Sequence, residues 1–195
     1  MNTWIKFCGL CRPEDFAYAV ELGVNAAGVV CVPNTPRFLD LEELRALSRL
    51  PRGNTKFVLV FQDASAEFVK VCIDIAEPDV LQFHGTESAF FCLTFGIPYI
   101  KATRDGRHIT ALLDHTQARA ILIDIPELMR PIQSLQIKNP IVLAGQLSPA
   151  NVLSVINRHK PFGVDVSRGI ELEPRKKDHL LMTQFVSAVR GMTEK

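Results

Sequence analysis

The apolar positions of this chain occur in short runs rich in β-branched residues, and each run is followed by a turn and a longer amphipathic stretch. Short runs bounded by turn residues are typical of buried strands, whereas the longer stretches have the spacing of helices. Eight runs fit the strand pattern: Trp4 to Phe7, Ala26 to Val30, Lys56 to Phe61, Val80 to Phe83, Tyr99 to Ala102, Ala120 to Asp124, Ile141 to Ala144 and Gly163 to Val166.

Capping and turn residues indicate where helices begin between these strands. Pro13 suits a first helical turn, and Asp40, Ser65 and Asp178 are candidate N-caps. The predicted helices are Pro13 to Leu22, Leu41 to Leu50, Ala66 to Ala76, Glu87 to Phe95, Ile109 to Thr116 and Glu127 to Leu135, then one starting at Ser148–Pro149 and one after Asp178. The stretch after Asp124 is short, so the sixth strand-plus-helix unit is the smallest.

Eight strand-plus-helix units in series predict an α/β protein whose parallel strands are joined by right-handed helical crossovers. A doubly wound open sheet uses the same local pattern, but the count of eight favours a closed (β/α)8 barrel. At 195 residues the chain is near the lower limit of about 200 residues for that fold. We therefore expect one domain, residues 1–195, with a shortened sixth unit.

Charge and cysteine content exclude several classes of protein. Twenty-two basic and 21 acidic residues leave a net charge of +1, which gives no electrostatic reason to expect a nucleic-acid or membrane partner. The five cysteines are odd in number, and no secretory signal precedes them, so we expect reduced thiols and a cytoplasmic protein. Cys8 and Cys11 form a CxxC, but a zinc site needs further ligands that the sequence does not supply, so we expect no metal.

In a β/α barrel the residues just after the carboxyl end of each strand meet at one mouth. Cys8 follows the first strand and becomes a candidate general base if its pKa is lowered, the alternative being a buried inert thiol. Asp124 ends the sixth strand, where a carboxylate suits proton transfer or else a capping or salt-bridging role. His84 follows the fourth strand and is either part of the site or a satisfied structural histidine.

The turns after the last two strands are candidates for binding a phosphate. Gly145 and Gln146 follow the seventh strand, and Ser167, Arg168 and Gly169 follow the eighth; their backbone N–H groups can face an anion. The alternative is that each glycine only permits a tight turn. Between stiffening prolines and the second helix, Arg37 has the planar fork that binds a carboxylate or phosphate, unless it is an ordinary surface arginine.

Five segments resemble motifs of the phosphoribosylanthranilate isomerases, in the same order along the chain. KFCGLCRPED at Lys6 to Asp15 is similar to KICGLTRPED, PNTPRFL at Pro33 to Leu39 to PKSPRYV, and LQFHG at Leu81 to Gly85 to LQLHG. LAGQLSPANV at Leu143 to Val152 resembles LAGGLNPENV, and GVDVSRGIE at Gly163 to Glu171 resembles GVDVSSGVE.

The resemblance implies a β/α barrel of tryptophan biosynthesis that converts N-(5-phosphoribosyl)anthranilate into carboxyphenylamino-deoxyribulose phosphate, an Amadori rearrangement without cofactor or metal. Asp124 would be the general acid that opens the sugar ring, and Cys8 the general base at C2′. The resemblance implies a small phosphorylated sugar-anthranilate as partner and a monomer or homodimer, and it assigns a set of binding residues: Arg37, His84, Gly145, Gln146, Asp165, Ser167, Arg168 and Gly169.

The sequence departs from the family pattern in the sixth loop and at the phosphate turns. The glycine-rich GGTGxxFDW segment is replaced by IPELMRPIQSL after Asp124, while Gln146 stands for a glycine and Arg168 for a serine. Because a lost loop can loosen substrate positioning, two alternatives remain: a weakened barrel that binds a phosphate ligand or a partner, and an isomerase of another aminoaldose phosphate.

Overall fold

Eight parallel strands close into a barrel in the computed structural model, which describes residues 3–103, 112–124 and 136–191. The strands follow chain order around the barrel: β1 Trp4–Cys8, β2 Ala26–Val30, β3 Lys56–Phe61, β4 Val80–Phe83, β5 Tyr99–Thr103, β6 Ala120–Asp124, β7 Ile141–Ala144 and β8 Gly163–Val166. Closure is made by β1 and β8, with Lys6 in register with Asp165. The predicted (β/α)8 fold is confirmed.

The barrel is surrounded by helices, four of which begin at the predicted residues Pro13, Leu41, Ala66 and His179. The described helices are α1 Pro13–Glu21, α2 Leu41–Ser48, α3 Ala66–Ala76, α4 Ala89–Leu93, α5 Val152–His159 and α6 His179–Arg190. Asp40 forms a capping box with Glu43, and Asp178 accepts from two backbone N–H groups of α6. Side-chain capping therefore determines where α2 and α6 begin.

Two apolar layers hold the fold together. The larger lies between the sheet and the helices and contains many phenylalanines, among them Phe7, Phe57 and Phe83, all fully buried. The smaller is built from alternate residues of β5, β6 and β7 inside the barrel. Lys6 and Asp165 meet inside the barrel on the neighbouring strands β1 and β8.

Helix α4 is shorter than predicted, because the residue expected to begin it has another role. Ser88, instead of a residue before Glu87, caps α4 by accepting from Phe91 N. The Glu87 carboxylate instead accepts from the Asp63 and Gly85 backbone N–H groups and pairs with Lys101 Nζ at 3.0 Å. Tertiary contacts thus moved the helix start by two residues relative to the prediction.

The prediction for the fifth to seventh units is tested only in part. Of Ile109 to Thr116, residues 112–114 form one 3-10 turn, and residues 109–111 lie outside the described residues. The predicted helix Glu127 to Leu135 also lies outside them. Helix α5 begins at Val152, later than Pro149, because Asn151 binds the preceding loop through Ser148 N and Gln146 O.

A hairpin that the sequence pattern did not predict lies between β8 and α6. A 3-10 turn, Arg168–Ile170, leads into β9 Glu171–Glu173, which pairs with β10 Lys176–Lys177. Arg175 joins the hairpin to the loop after β2 and to helix α2. It donates to the Phe38 carbonyl in that loop and to Glu43 of α2. This hairpin brings Glu171 and Lys177 to the mouth of the barrel.

Within the described residues, no helix has the length and apolar character needed to cross a membrane.

Candidate active site

A cavity of about 520 Å³ opens at the carboxyl ends of the strands. Every residue that the sequence analysis assigned to the site lines it: Cys8, Arg37, His84, Asp124, Gly145, Gln146, Asp165, Ser167, Arg168 and Gly169. The closed strand order explains this convergence, because all parallel strands point their carboxyl ends the same way. The structure places these residues together, and their roles remain predictions.

Cys8 is the last residue of β1, and its side chain borders the cavity beside two charged groups. Lys6 Nζ lies 2.9 Å from Asp165 Oδ1, and the ammonium also attracts the Cys8 sulfur. Burial raises the pKa of the Cys8 thiol, and Lys6 opposes that rise without cancelling it. The pKa of Cys8 is therefore shifted in the direction opposite to the one that the sequence analysis required of a general base.

Asp124 and His84 lie side by side in the cavity, at the ends of β6 and β4. Their closest atoms, Asp124 Oδ2 and His84 Nε2, are 3.7 Å apart, and the Asp124 side chain is 30% exposed. The backbone N–H of His84 donates to the Phe61 carbonyl, which fixes the start of its loop. An accessible carboxyl group beside an imidazole is suited to exchanging a proton with a ligand in the cavity.

Arg37 is not a solvated surface arginine. Its Nε donates to Glu171 Oε1 at 2.7 Å and its NH2 donates to Glu171 Oε2, so one edge of the guanidinium is held by the hairpin. The guanidinium has further N–H donors, and Arg37 lines the cavity. The side chain therefore enters the site with its orientation already set.

Lys177 ties the hairpin to the ends of β1 and β8 from a fully buried position. Its Nζ donates to the Cys8 carbonyl at 2.8 Å, to the Ser167 carbonyl at 3.1 Å and to Glu171 Oε1 at 2.7 Å. Burial lowers the pKa of Lys177, although Glu171 opposes the change. Burial acts to raise the pKa of Glu171 too, but Arg37 and Lys177 outweigh it and hold that pKa low. The carboxylate is therefore ionised between two cations.

The two phosphate-binding candidates are formed by tight turns that pack against each other. Gly145 has φ of 100° and Gln146 has φ of 52°, which is the left-handed region where glycine is favoured. The structure thus supplies a reason why glycine suits the position of Gln146. At Gly169 a Cβ atom would lie 1.8 Å from the Leu147 carbonyl oxygen, so only glycine lets the turns meet.

Sequence reasoning missed four residues that border or support the cavity. Lys6 and Glu171 were inside quoted motifs and Lys177 was not, and nothing in their spacing showed that their side chains would be buried with charged partners. Gln82 lines the cavity, and among the described residues its buried Oε1 has no hydrogen-bond partner. A polar residue inside a buried strand is the signal that could have identified Lys6 and Gln82.

The cysteines and acidic groups of the described residues do not form a metal site. No group of three or more His, Cys, Asp or Glu side chains there is arranged to hold an ion. Cys11 is buried, and its Sγ donates to the Gly9 and Arg37 carbonyls, each at 3.6 Å. Burial raises the pKa of Cys11 to about 11. The CxxC therefore places one thiol at the cavity and the other against the backbone.

Comparison with solved structures shows the same architecture over nearly the whole chain. A phosphoribosyl anthranilate isomerase in complex with reduced 1-(o-carboxyphenylamino)-1-deoxyribulose 5-phosphate has a TM-score of 0.88 and 31% identity, covering 97% of this chain and 99% of its own. The phosphoribosyl anthranilate isomerase from Thermotoga maritima has a TM-score of 0.85 and 29% sequence identity, again covering 97% of this chain and 99% of its own.

Sequence comparison gives the same result. N-(5′-phosphoribosyl)anthranilate isomerases from Legionella pneumophila (strain Paris) and Xylella fastidiosa (strain 9a5c) are each 36% identical to this chain. The first match covers 96% of this chain and 97% of the relative, and the second covers 97% and 92%. The model of the N-(5′-phosphoribosyl)anthranilate (PRA) isomerase family matches residues 5–188. This chain therefore belongs to the N-(5′-phosphoribosyl)anthranilate isomerase family.

Proposed function

We propose that this protein isomerises N-(5-phosphoribosyl)anthranilate to 1-(2-carboxyphenylamino)-1-deoxyribulose 5-phosphate in tryptophan biosynthesis, with Asp124 as general acid and Cys8 as general base. The observation that supports these roles is that both side chains line one cavity together with Arg37 and the two glycine turns. The reaction needs an acid, a base and binding groups for the substrate carboxylate and phosphate, and this cavity has candidates for each.

In the first step, the Asp124 carboxyl group gives its proton to the furanose ring oxygen. The bond between that oxygen and C1′ breaks as the anilino nitrogen forms a double bond to C1′, which yields a protonated Schiff base. Asp124 is accessible from the cavity and ends a strand of the rigid barrel, so it can be held against the ring oxygen. The neighbouring His84 faces the same carboxyl group and is placed to influence its proton.

In the second step, the Cys8 thiolate removes the proton from C2′. The electron pair of the C–H bond forms the C1′–C2′ double bond, and the Schiff base becomes a neutral enolamine. Tautomerisation of the enolamine gives the ketone product. The positive charge of the Schiff base makes the C2′ proton more acidic, which favours its transfer to the sulfur.

Arg37 and the two turns supply positioning rather than proton transfer. Arg37 has N–H groups left for the anthranilate carboxylate after its pairing with Glu171. The turns at Gly145–Gln146 and Ser167–Gly169 offer backbone donors to the phosphate, and Arg168 adds a positive charge where the family commonly has serine. Binding of the carboxylate by Arg37 and of the phosphate by the two turns would hold the sugar between Cys8 and Asp124.

The test is the decay of phosphoribosylanthranilate fluorescence with purified protein. Wild type should accelerate the decay, and Asp124→Asn or Cys8→Ala should reduce kcat by about 10² to 10⁴-fold, since that is what general acid or base catalysis contributes. Asp74→Asn, an exposed change on α3, is the matched control and should retain full activity. Full activity in Asp124→Asn would contradict the assignment.

The same assay separates the two alternative functions. A barrel that only binds a phosphate ligand would be stabilised by the product without any turnover. An isomerase of a different aminoaldose phosphate would turn over the corresponding histidine-pathway substrate in preference to the anthranilate. The named relatives favour the anthranilate substrate.

The cellular setting of the protein is also a proposal. Five free cysteines in the described residues favour a reducing compartment, so we place the protein in the cytoplasm. For its assembly we retain a monomer or a homodimer, and sedimentation of the purified chain would decide between them.

A further inference from the structure

Beside the cavity, inside the barrel, lies a fully buried lysine that none of the proposed catalytic steps uses. Lys6 is 0% exposed and lies on β1, two residues before Cys8, so both side chains point to the inside of the barrel. A buried ammonium group is costly unless it is paired or functional. Its neighbours therefore indicate what the lysine does.

Gly28 on β2 makes room for the lysine and the cysteine together. A Cβ atom at Gly28 would lie 3.0 Å from Lys6 Nζ and 3.2 Å from Cys8 Sγ. The ammonium and the sulfur thus converge on one point above a residue without a side chain. Since Lys6 Nζ also lies 2.9 Å from Asp165 Oδ1, the three groups form one compact cluster across β8, β1 and β2.

We propose that Lys6, held in place by Asp165, is a positioning residue for Cys8: its ammonium orients the sulfur and supplies the positive charge that stabilises the thiolate, which becomes a thiol when it takes the C2′ proton. This inference rests on the role of Cys8 in the proposed function. Lys6 itself transfers no proton; the proton from C2′ goes to sulfur, and the lysine stays an ammonium throughout.

The charges around Cys8 agree with this arrangement. Burial acts to lower the pKa of Lys6, but Asp165 and Cys8 outweigh it and raise that pKa, so the ammonium persists. Among the described residues, four charged groups act on the Cys8 thiol: Lys6, Lys177 and Arg37 favour its thiolate, whereas Asp165 disfavours it. Lys177 binds the Cys8 carbonyl instead of the sulfur, and Arg37 is committed to Glu171. Lys6 is therefore the cation that acts most directly on the sulfur.

The experiment measures the pH at which Cys8 reacts with iodoacetamide, because the thiolate is the reactive form. All proteins carry Cys11→Thr, the residue common in the family, so that the peptide containing Cys8 has one cysteine and is quantified by mass spectrometry. Three variants are compared with this parent: Lys6→Gln, Asp165→Asn and the double variant Lys6→Gln/Asp165→Asn. Circular dichroism melting establishes that each is folded.

The proposal predicts a specific order for the pH midpoints of Cys8 alkylation in the parent and the variants. Asp165→Asn should react at lower pH than the parent, since the ammonium loses its counter-charge, and Lys6→Gln should react at a pH about one unit or more higher. The double variant should lie between the parent and Lys6→Gln, because it lacks both charges. A contribution to packing alone would give no such order.

Lys6→Gln leaves a buried carboxylate, and such a change can unfold a protein. The double variant has no uncompensated charge, so it keeps the proposal testable if the single variant does not fold. An unchanged or lowered midpoint in the double variant would overturn the proposal. Alkylation needs no substrate, so its outcome is separate from whether the protein turns over phosphoribosylanthranilate.

Discussion

The guanidinium of Arg37 and the carboxylate of Glu171 form a two-point pair that joins the second loop to the hairpin after β8. Glu171 is in turn held by Lys177, which reaches the Cys8 carbonyl. One chain of charged groups therefore links the residue proposed to bind the substrate carboxylate with the strand that carries the proposed base. Positions far apart in the sequence become a single unit at the mouth of the barrel.

Replacing Glu171 by Gln should weaken substrate binding more than it slows the chemical step. The variant keeps one hydrogen-bond acceptor for Arg37 but loses the negative charge that holds the guanidinium in place. We therefore expect KM to rise about 10-fold, with a smaller change in kcat. Glu173→Gln is the matched control on the same hairpin, since its partner Lys176 is 3.9 Å away and both side chains are exposed. Equal effects of the two changes on KM would contradict a positioning role for Glu171.

Gln82 should strengthen ligand binding while lowering the stability of the protein without ligand. Its Oε1 is buried without a hydrogen-bond partner among the described residues, so Gln82→Leu should leave the melting temperature unchanged or raise it. The same change should weaken binding of the reduced product analogue by about 2- to 10-fold, the worth of one neutral hydrogen bond. Calorimetry measures both. A destabilised variant that binds the analogue normally would show that Gln82 serves packing alone.

Gly169→Ala should disturb the phosphate turn as well as the fold. The added methyl group would meet the Leu147 carbonyl oxygen at 1.8 Å, so the two turns must separate, at a cost of about 1 to 3 kcal/mol. Gly96→Ala is the control: Gly96 has φ of +66°, but nothing lies within 4 Å of its added Cβ. Both variants should melt at a lower temperature, and only Gly169→Ala should lose affinity for the product analogue. Weaker binding in both would point to a general effect of destabilisation.

Lys101 and Glu87 should contribute far more to stability than a surface pair with the same separation. Lys101 Nζ lies 3.0 Å from Glu87 Oε2 and also donates to the Gly85 carbonyl, and both side chains are buried. Lys101→Met leaves the carboxylate uncompensated, so we expect the free energy of unfolding in urea to fall by about 3 to 5 kcal/mol.

Lys56→Met provides the comparison for this pair. Lys56 Nζ is also 3.0 Å from its partner, Asp79, but the lysine side chain is 59% exposed, so its loss should cost less than about 1 kcal/mol. Similar losses in the two variants would mean that burial is not what gives the Lys101 pair its importance. Because Glu87 also binds Gly85 N, the loop that carries His84 should become more susceptible to proteolysis in Lys101→Met.

The barrel was predictable because its signals are local. Strand β3 is a run of buried apolar residues, and α3 begins and ends where Ser65 and the spacing of its apolar residues indicate. The errors occur where a distant group intervenes: Glu87 is drawn away from α4 by Lys101, and Asn151 is drawn into the loop before α5. Local propensity cannot anticipate a partner that is remote in the chain.

The sequence by itself determined the (β/α)8 fold and that the polar residues following its strands lie at the cavity, since a residue that follows a parallel strand must be at the mouth once the barrel closes. Only the tertiary structure decided how those groups are held and charged. The pairing of Lys6 with Asp165 and the hairpin that brings Glu171 and Lys177 to Arg37 depend on contacts between residues more than 100 positions apart. Burial raises the pKa of Cys8, and burial is a property of the whole packed barrel, which no short segment contains.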